Sequence, residues 1–432
     1  MIKNIFIEPT YAEYASICVR PRKDENNLTE LISAVFDQIQ KDGDRALIDL
    51  THKFDKVLLE NVELSTREKD EAIQKVSEEL KSAIQIAYNN ISAFHKAQVD
   101  QGIEVETMPG VICNQKSVGI EKVGIYIPGG TAPLFSTVLM LAIPAKLAGC
   151  KEIVLCSPPN QEGSLHPAIV YAADLCGVTK IFKVGGAQAI AALSVGTESV
   201  PSVSKLFGPG NQYVTAAKQY AQNFRTGMDI PAGPSELLVY ADDSSFPEFV
   251  AADLLSQAEH GVDSQVILVV NNKEKLHLIN AEVEKQVNQL PRKEIALAAL
   301  DNSKAVVLSD SHVAFDFINE YGPEHLIIAS DESEILQSLV VNAGSVFLGN
   351  YCPESAGDYA SGTNHTLPTN GWAKSYGGVN VDSFCRKITF QKISKAGIQN
   401  IGGAIMEMAS NELLEGHARA VEVRLNNLTN QG

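Results

Sequence analysis

From Lys122 onward the chain repeats one pattern: a short apolar run, a turn rich in glycine or proline, then a helical stretch. Val123–Ile127 ends in Pro128-Gly129-Gly130 and precedes Phe135–Leu147, and Ile153–Cys156 ends in Ser157-Pro158-Pro159 before Pro167–Cys176. Ile181–Val184 leads through Gly185-Gly186 into Ala187–Leu193, and Lys205–Phe207 leads through Gly208-Pro209-Gly210 into Asn211–Gln222. Strand and helix alternating this regularly imply βαβ crossovers and a largely parallel sheet. A second stretch repeats the design. It runs through Glu236–Tyr240, the helix Phe246–His260, Gln265–Val270 and the helix Lys273–Leu290, then Ala305–Leu308, the helix Val313–Tyr321, Leu326–Ala329 and Val346–Leu348.

The flanks read differently. Leu31, Val35 and Ile39, then Leu47 and Leu50 beyond Gly43, recur at helical spacing, as do apolar positions in Glu68–Ala97. Such stripes are packing surfaces first. Residues from about Arg386 onward read as helix again. The expected fold is α/β: two Rossmann-like parallel-sheet domains, incomplete because no GxGxxG is present, with smaller helical N- and C-terminal elements. The expected boundaries are 1–103 (mainly helical), 104–235 (first α/β domain, the dinucleotide side), 236–385 (second α/β domain, metal and catalytic residues) and 386–432 (C-terminal helical element).

At 432 residues and 45% hydrophobic content, the chain has ample apolar material for several cores. A net charge of −17, spread along the chain, argues against nucleic acid or an anionic membrane as the main partner. It does not exclude an anionic cofactor, which needs only a local set of backbone N–H groups. The 7 cysteines are odd in number and form no CxxC pair, which points to reduced thiols in a cytoplasm. The N-terminus lacks the pattern of a secretory signal, and no uncharged apolar run reaches the ~18 residues of a membrane span. A cytoplasmic enzyme without a membrane partner is expected.

Two sets of residues carry chemical potential. The turns near Gly129, Gly185 and Gly208 lie at the ends of predicted parallel strands, where open α/β sheets bind ligands and helix N-termini favour phosphate. The plainer reading of any one of them is a tight turn. Among the histidines, His52, His95, His166, His277 and His312 have bland surroundings, and four others do not. Gln257 and His260 lie three apart at the end of a helix, so both side chains share a face and could share an ion. Asp358 and His365 belong to Pro353–His365, a long run of small and polar residues with neither strand nor helix period, typical of functional loops. Glu324 and His325 are neighbours after Gly322-Pro323, on extended backbone that points them apart, so they could serve different protons. Glu412 and His417 lie in the C-terminal helical part. None of these matches HExxH or a Cys-based zinc pattern.

Together the segments resemble the histidinol dehydrogenase family over nearly the whole chain. The resemblance is carried by Val123–Gly130, Gly185–Ile190, Phe207–Asn211, Ala232–Glu236, Ser256–Gly261, Gly322–Leu326 and Gly357–His365. It implies oxidation of L-histidinol to L-histidine through L-histidinal with two NAD+, as the last steps of histidine biosynthesis. It implies a homodimer with one zinc ion per subunit, held by Gln257, His260, Asp358 and His417, the last from the partner subunit. Ser235, Glu412 and His365 would contact substrate beside the zinc ligands and His325; Tyr126, Gln188 and Asn211 would contact NAD. His325 would be the general base and Glu324 the activator of water. From the residues alone, a zinc-dependent hydrolase of a small amide or ester and a non-catalytic α/β binding protein stay open beside this reading.

Overall fold

The computed structural model describes residues 1–21, 28–129, 133–231 and 233–430; Gly130 and Ala232, members of two motifs above, lie outside the described residues. The chain opens with strand β1 (Asn4–Ile7) and continues through helices Tyr11–Ile17, Leu28–Asp55, Thr66–Gln74 and Glu78–Lys96. Gly43 breaks the longest of these with φ 53° and ψ −132°, where the sequence pattern also breaks. Strands β2 (Ile103–Met108), β3 (Val111–Gly119), β4 (Lys122–Tyr126), β5 (Glu152–Cys156), β6 (Lys180–Phe182), β7 (Lys205–Phe207) and β8 (Gly227–Met228) follow. Then come β9 (Glu236–Ala241), β10 (Gln265–Val270), β11 (Lys304–Val307), β12 (His325–Ala329), β13 (Ser345–Leu348) and, far downstream, β14 (Cys385–Ile393).

Both expected parallel sheets form. One has the order β6-β5-β4-β7-β8, the other β1-β11-β10-β9-β12-β13, and every pairing within them is parallel. With each set numbered in chain order from β4 and from β9, both read 3-2-1-4-5, and β1 extends the second sheet beyond β11. Every residue of β9, β10 and β12 is buried, as expected of strands with helices on both faces. Burying each Val, Leu or Ile there contributes about 1.5–3 kcal/mol. His95, among the histidines with bland surroundings, is a satisfied core side chain: Nδ1 lies 2.8 Å from the Ile91 carbonyl and Nε2 3.3 Å from Asn364.

The chain divides into two compact units, Met1–Ala97 with Ile120–Phe384, and Gln98–Gly119 with Cys385–Gly432. The first contains both parallel sheets. The second is an antiparallel sheet β14-β3-β2 followed by helices Lys395–Asn411 and Glu415–Thr429. Here the structure corrects the sequence reading: the segment after Arg386 begins as a strand, not a helix. Residues 104–119 group with it through a ladder from Cys385↔Gly119 to Ile393↔Val111. The reason is local composition. Arg386, Lys387, Thr389, Gln391 and Lys392 leave no apolar run, so the strand lacks the signature that marked the buried ones. The N-terminal region is mainly helical, as expected, with one strand, Asn4–Ile7, that pairs with β11 in register with Lys304–Val307.

Candidate active site

The Ser311–Tyr321 helix ends at Gly322, whose φ of 60° closes it in the left-handed conformation. Pro323 then forbids its continuation, and the chain enters β12 at His325. The neighbouring strand β9 meets the Glu324-His325 pair with both main-chain groups of Glu236. Its N–H donates to Glu324 Oε2 at 2.9 Å, and its carbonyl lies 3.3 Å from His325 Nδ1. Glu354 Oε1 is 3.2 Å and Glu324 Oε2 3.6 Å from the same Nδ1. The Glu236 carbonyl can only accept, which places the ring proton on Nδ1. Nε2 has no hydrogen-bond partner, its nearest carboxylate being Asp358 Oδ1 at 3.7 Å. Burial pushes the His325 pKa down to about 4, against the Asp358 charge, so the ring is neutral at neutral pH with a free lone pair on Nε2. Burial drives Glu324 and Glu354 well above the usual carboxyl range; for Glu354 the Asp358 and Glu324 charges add to it.

Glu354 and Asp358 are brought together by a structural difference. The run Pro353–His365, expected as irregular loop, holds a short helix at Glu354–Tyr359. Spacing of four places the two carboxylates on one face. That spacing was the signal for Glu354, which sequence reasoning passed over. The helix packs against Pro247–Ala258, whose last turn carries Gln257. Gln257 is fully buried, yet neither its amide oxygen nor its nitrogen has a partner. An unsatisfied buried polar group costs about 1–3 kcal/mol, so a bound ligand is the natural occupant of that oxygen. His260 follows just past the helix end and is solvent-exposed, but surrounding protein lowers its pKa against the Asp358 charge. The donor atoms of His325, Glu354 and Asp358 lie within 4.8 Å of one another, a cluster able to hold a cation. It shares Asp358 with the set inferred from sequence. His365 is fixed from both ring nitrogens, Nδ1 at 2.9 Å from the Asp358 carbonyl and Nε2 at 3.0 Å from Thr137 Oγ1.

The glycine turns do share one edge, at the carboxyl ends of β4, β6 and β7. Pro158, at the end of β5, sits where a Cβ on Gly129 or Gly185 would be, so both positions require glycine for close approach. Gly208 has φ 124°, and a Cβ there would overlap the Tyr126 carbonyl oxygen. Its N–H donates to Asp229 Oδ2 (2.8 Å) and its carbonyl accepts from Lys218 Nζ (2.9 Å), with Lys218 and Asp229 themselves paired and buried. Tyr126 is buried and its hydroxyl accepts from the Gly186 N–H at 3.0 Å. Gln188 is buried, and Asn211 caps the Gln212–Tyr220 helix by accepting from Tyr213 and Val214. One cavity is lined by Gly208 and Pro209 from this edge together with Ser235, Glu324 and His365.

The sequence profile of the histidinol dehydrogenase family matches residues 18–425. The chain belongs to the histidinol dehydrogenase family. It is 55% identical over 420 residues to the histidinol dehydrogenase of Bacteroides thetaiotaomicron, covering 97% of this chain and 98% of that one. To the Vibrio parahaemolyticus enzyme it is 48% identical, covering 96% of each. The crystal structure of histidinol dehydrogenase from Elizabethkingia anophelis superposes with a TM-score of 0.97 at 53% identity, over 99% of this chain and 98% of that one. Membership makes the chain an oxidoreductase, an NAD-dependent dehydrogenase acting on an alcohol and an aldehyde, and sets the hydrolase and binding-protein alternatives aside.

Of the residues expected in a histidinol dehydrogenase site, the first unit gathers Glu324, His325, Asp358 and His365 by direct contacts, with Gln257 and His260 on the adjoining helix end. Ser235 immediately precedes Glu236 and lines the same cavity. Glu412 and His417 are exposed residues of the second unit, the former capping Lys395–Asn411 and the latter in Glu415–Thr429. Among the described residues no helix is long and apolar enough to cross a membrane.

Proposed function

We propose that the chain oxidises L-histidinol to L-histidine through L-histidinal, reducing two NAD+, at the end of histidine biosynthesis in the cytoplasm. The observation that carries this reading is the His325 imidazole, with Nδ1 held against the Glu236 carbonyl and Nε2 buried and unpartnered. Zinc is the proposed metal, held by Gln257, His260, Asp358 and His417 of the partner subunit. The orphaned Gln257 amide and the Asp358 carboxylate suit it, since a mixed N/O set marks an open rather than a closed structural site. When bound, the metal supplies a Lewis-acidic grip on the substrate's imidazole and amine nitrogens.

The chain's own residues then divide the proton work. His325 Nε2 takes the hydroxyl proton as hydride leaves the alcohol carbon for the first NAD+. Glu324, ionised in the metal-loaded site, takes a proton from the water that adds to the aldehyde. His325, having passed its first proton to solvent, takes the remaining hydroxyl proton of the hydrate anion as the second hydride leaves, giving the carboxylate product. Ser235, His365 and Glu412 contact substrate, and Tyr126, Gln188 and Asn211 contact NAD at the glycine edge.

A homodimer with shared sites follows from assigning His417 to the partner. Exposed Ile103, Val105, Met108, Phe390, Met408 and Leu413 on the second unit support an apolar partner surface. The test is near-ultraviolet absorbance of NADH formed from L-histidinol and NAD+ by zinc-loaded protein. No NADH from fully loaded protein sinks the reading. Mixing His417→Asn with Asp358→Asn protein should restore part of the activity if sites are shared, whereas verified mixed dimers without recovery would return the site to one chain.

A further inference from the structure

The side chain of Glu236 is as constrained as its main chain. Arg20, just after the Tyr11–Ile17 helix and 216 residues away in sequence, grips it bidentately, Nε to Oε2 at 2.5 Å and Nη2 to Oε1 at 3.1 Å. The same guanidinium donates to the Tyr321 carbonyl at 2.7 Å, reaches the Gly322 carbonyl at 3.4 Å and stacks on the Tyr321 ring 3.9 Å from its centre. The Tyr321 hydroxyl lies 2.9 Å from Glu236 Oε2 and 3.0 Å from Gln265 Oε1. The side chains of Arg20 and Glu236 are 13% and 3% exposed, so the pair is shielded from solvent. Arg20 thus ties together the residue that ends one helix, Tyr321, and the residue that begins β9, Glu236. Those are the two segments between which Glu324 and His325 are held.

We propose that Arg20 is a positioning residue for the reaction: by fixing Glu236 and the 321–322 peptides, it sets the aim of the Glu324 carboxyl and the His325 ring without touching substrate. This rests on the proposed roles of Glu324 and His325. The two main-chain bonds from Glu236 are the only links it needs, and a fork-shaped guanidinium supplies the planar, two-point grip that a lysine cannot. The competing explanation is that the buried pair only stabilises the fold.

Three variants separate the two: Arg20→Lys, Arg20→Met, and Arg20→Met with Glu236→Leu. For Arg20→Met the expected outcome is a fall in kcat of about 100-fold, with KM for L-histidinol and bound zinc unchanged. Arg20→Lys should recover part of the rate. The double variant removes the orphaned carboxylate, so its melting temperature should rise above that of Arg20→Met while kcat stays low. Wild-type kcat in folded Arg20→Lys overturns the proposal, and so does kcat recovering in step with stability in the double variant. Wild-type protein assayed alongside keeps the causes apart. If it forms no NADH, the proposed function fails; if it does and the variants match it, only the role of Arg20 fails.

Discussion

The two parallel sheets share a strand order but present very different carboxyl ends. At the end of β4, β6 and β7, glycines at 129, 185 and 208 let the turns pack closely on Pro158 and the Tyr126 carbonyl beside helix N-termini. At the same end of β9 and β12, the Ser330 hydroxyl donates to Asp242, the Ser244 hydroxyl holds Asp242 as well, and Asn350 reaches Asp331 and the Ser244 carbonyl. That crevice is filled by side chains. The second sheet instead gathers Glu324, His325 and Ser235 at its amino end, where the Pro247–Ala258 helix carries Gln257 in its last turn. The difference is electrostatic in origin. Helix N-termini carry partial positive charge and suit a dinucleotide phosphate, whereas helix C-termini carry partial negative charge and suit a cation or a cationic substrate. One strand order, repeated, offers both kinds of end.

The largest test of this division is His325→Ala. It should lower kcat by about 100- to 10,000-fold while leaving NAD+ affinity near wild type; loss of NAD+ binding, measured by fluorescence titration, would mean the two edges are not separate. On the other edge, Gly208→Ala should act in the reverse sense. Strain at a positive φ costs about 1–3 kcal/mol, so NAD+ should bind roughly 10- to 100-fold more weakly, with zinc content by atomic absorption unchanged.

A third test uses pH on metal-free protein. Above the ordinary glutamate value of 4.5, the folded state holds Glu324 neutral while the unfolded chain ionises it. Unfolding then releases a proton, and this residue costs stability as pH rises. Glu324→Gln removes that cost. The variant should melt higher than wild type, with a gap that widens as pH rises above 4.5, and a gap that narrows contradicts the burial argument. The smallest effect is expected where the second sheet's carboxyl end is idle. Ser330→Ala should cost about 1 kcal/mol of stability by denaturant titration and leave kcat alone.

Local signals carried much of the fold. Phe135–Leu147, Pro167–Cys176 and Gln265–Val270 form with the boundaries their sequence predicts, because each apolar run is cut off by glycine, proline or polar residues. Gly322-Pro323 marked the entry to Glu324-His325 in the same way. The missing parts are those made by distance. Nothing near Arg20 announces a partner at Glu236, and nothing in the polar β14 announces pairing with β3. Glu354 was hidden because a helix of six residues is too short for its period to register.

The β2–β3 hairpin also has a history written into its order. Its second strand, β3, pairs with residues 385–393, so during synthesis it must wait while more than half the chain, including both parallel sheets, is made. Until then β3 carries an open row of backbone donors and acceptors, the kind of edge that recruits another chain. Glutamates 104 and 106 on β2 and Lys116 on β3 are the charged side chains that keep this waiting hairpin in solution.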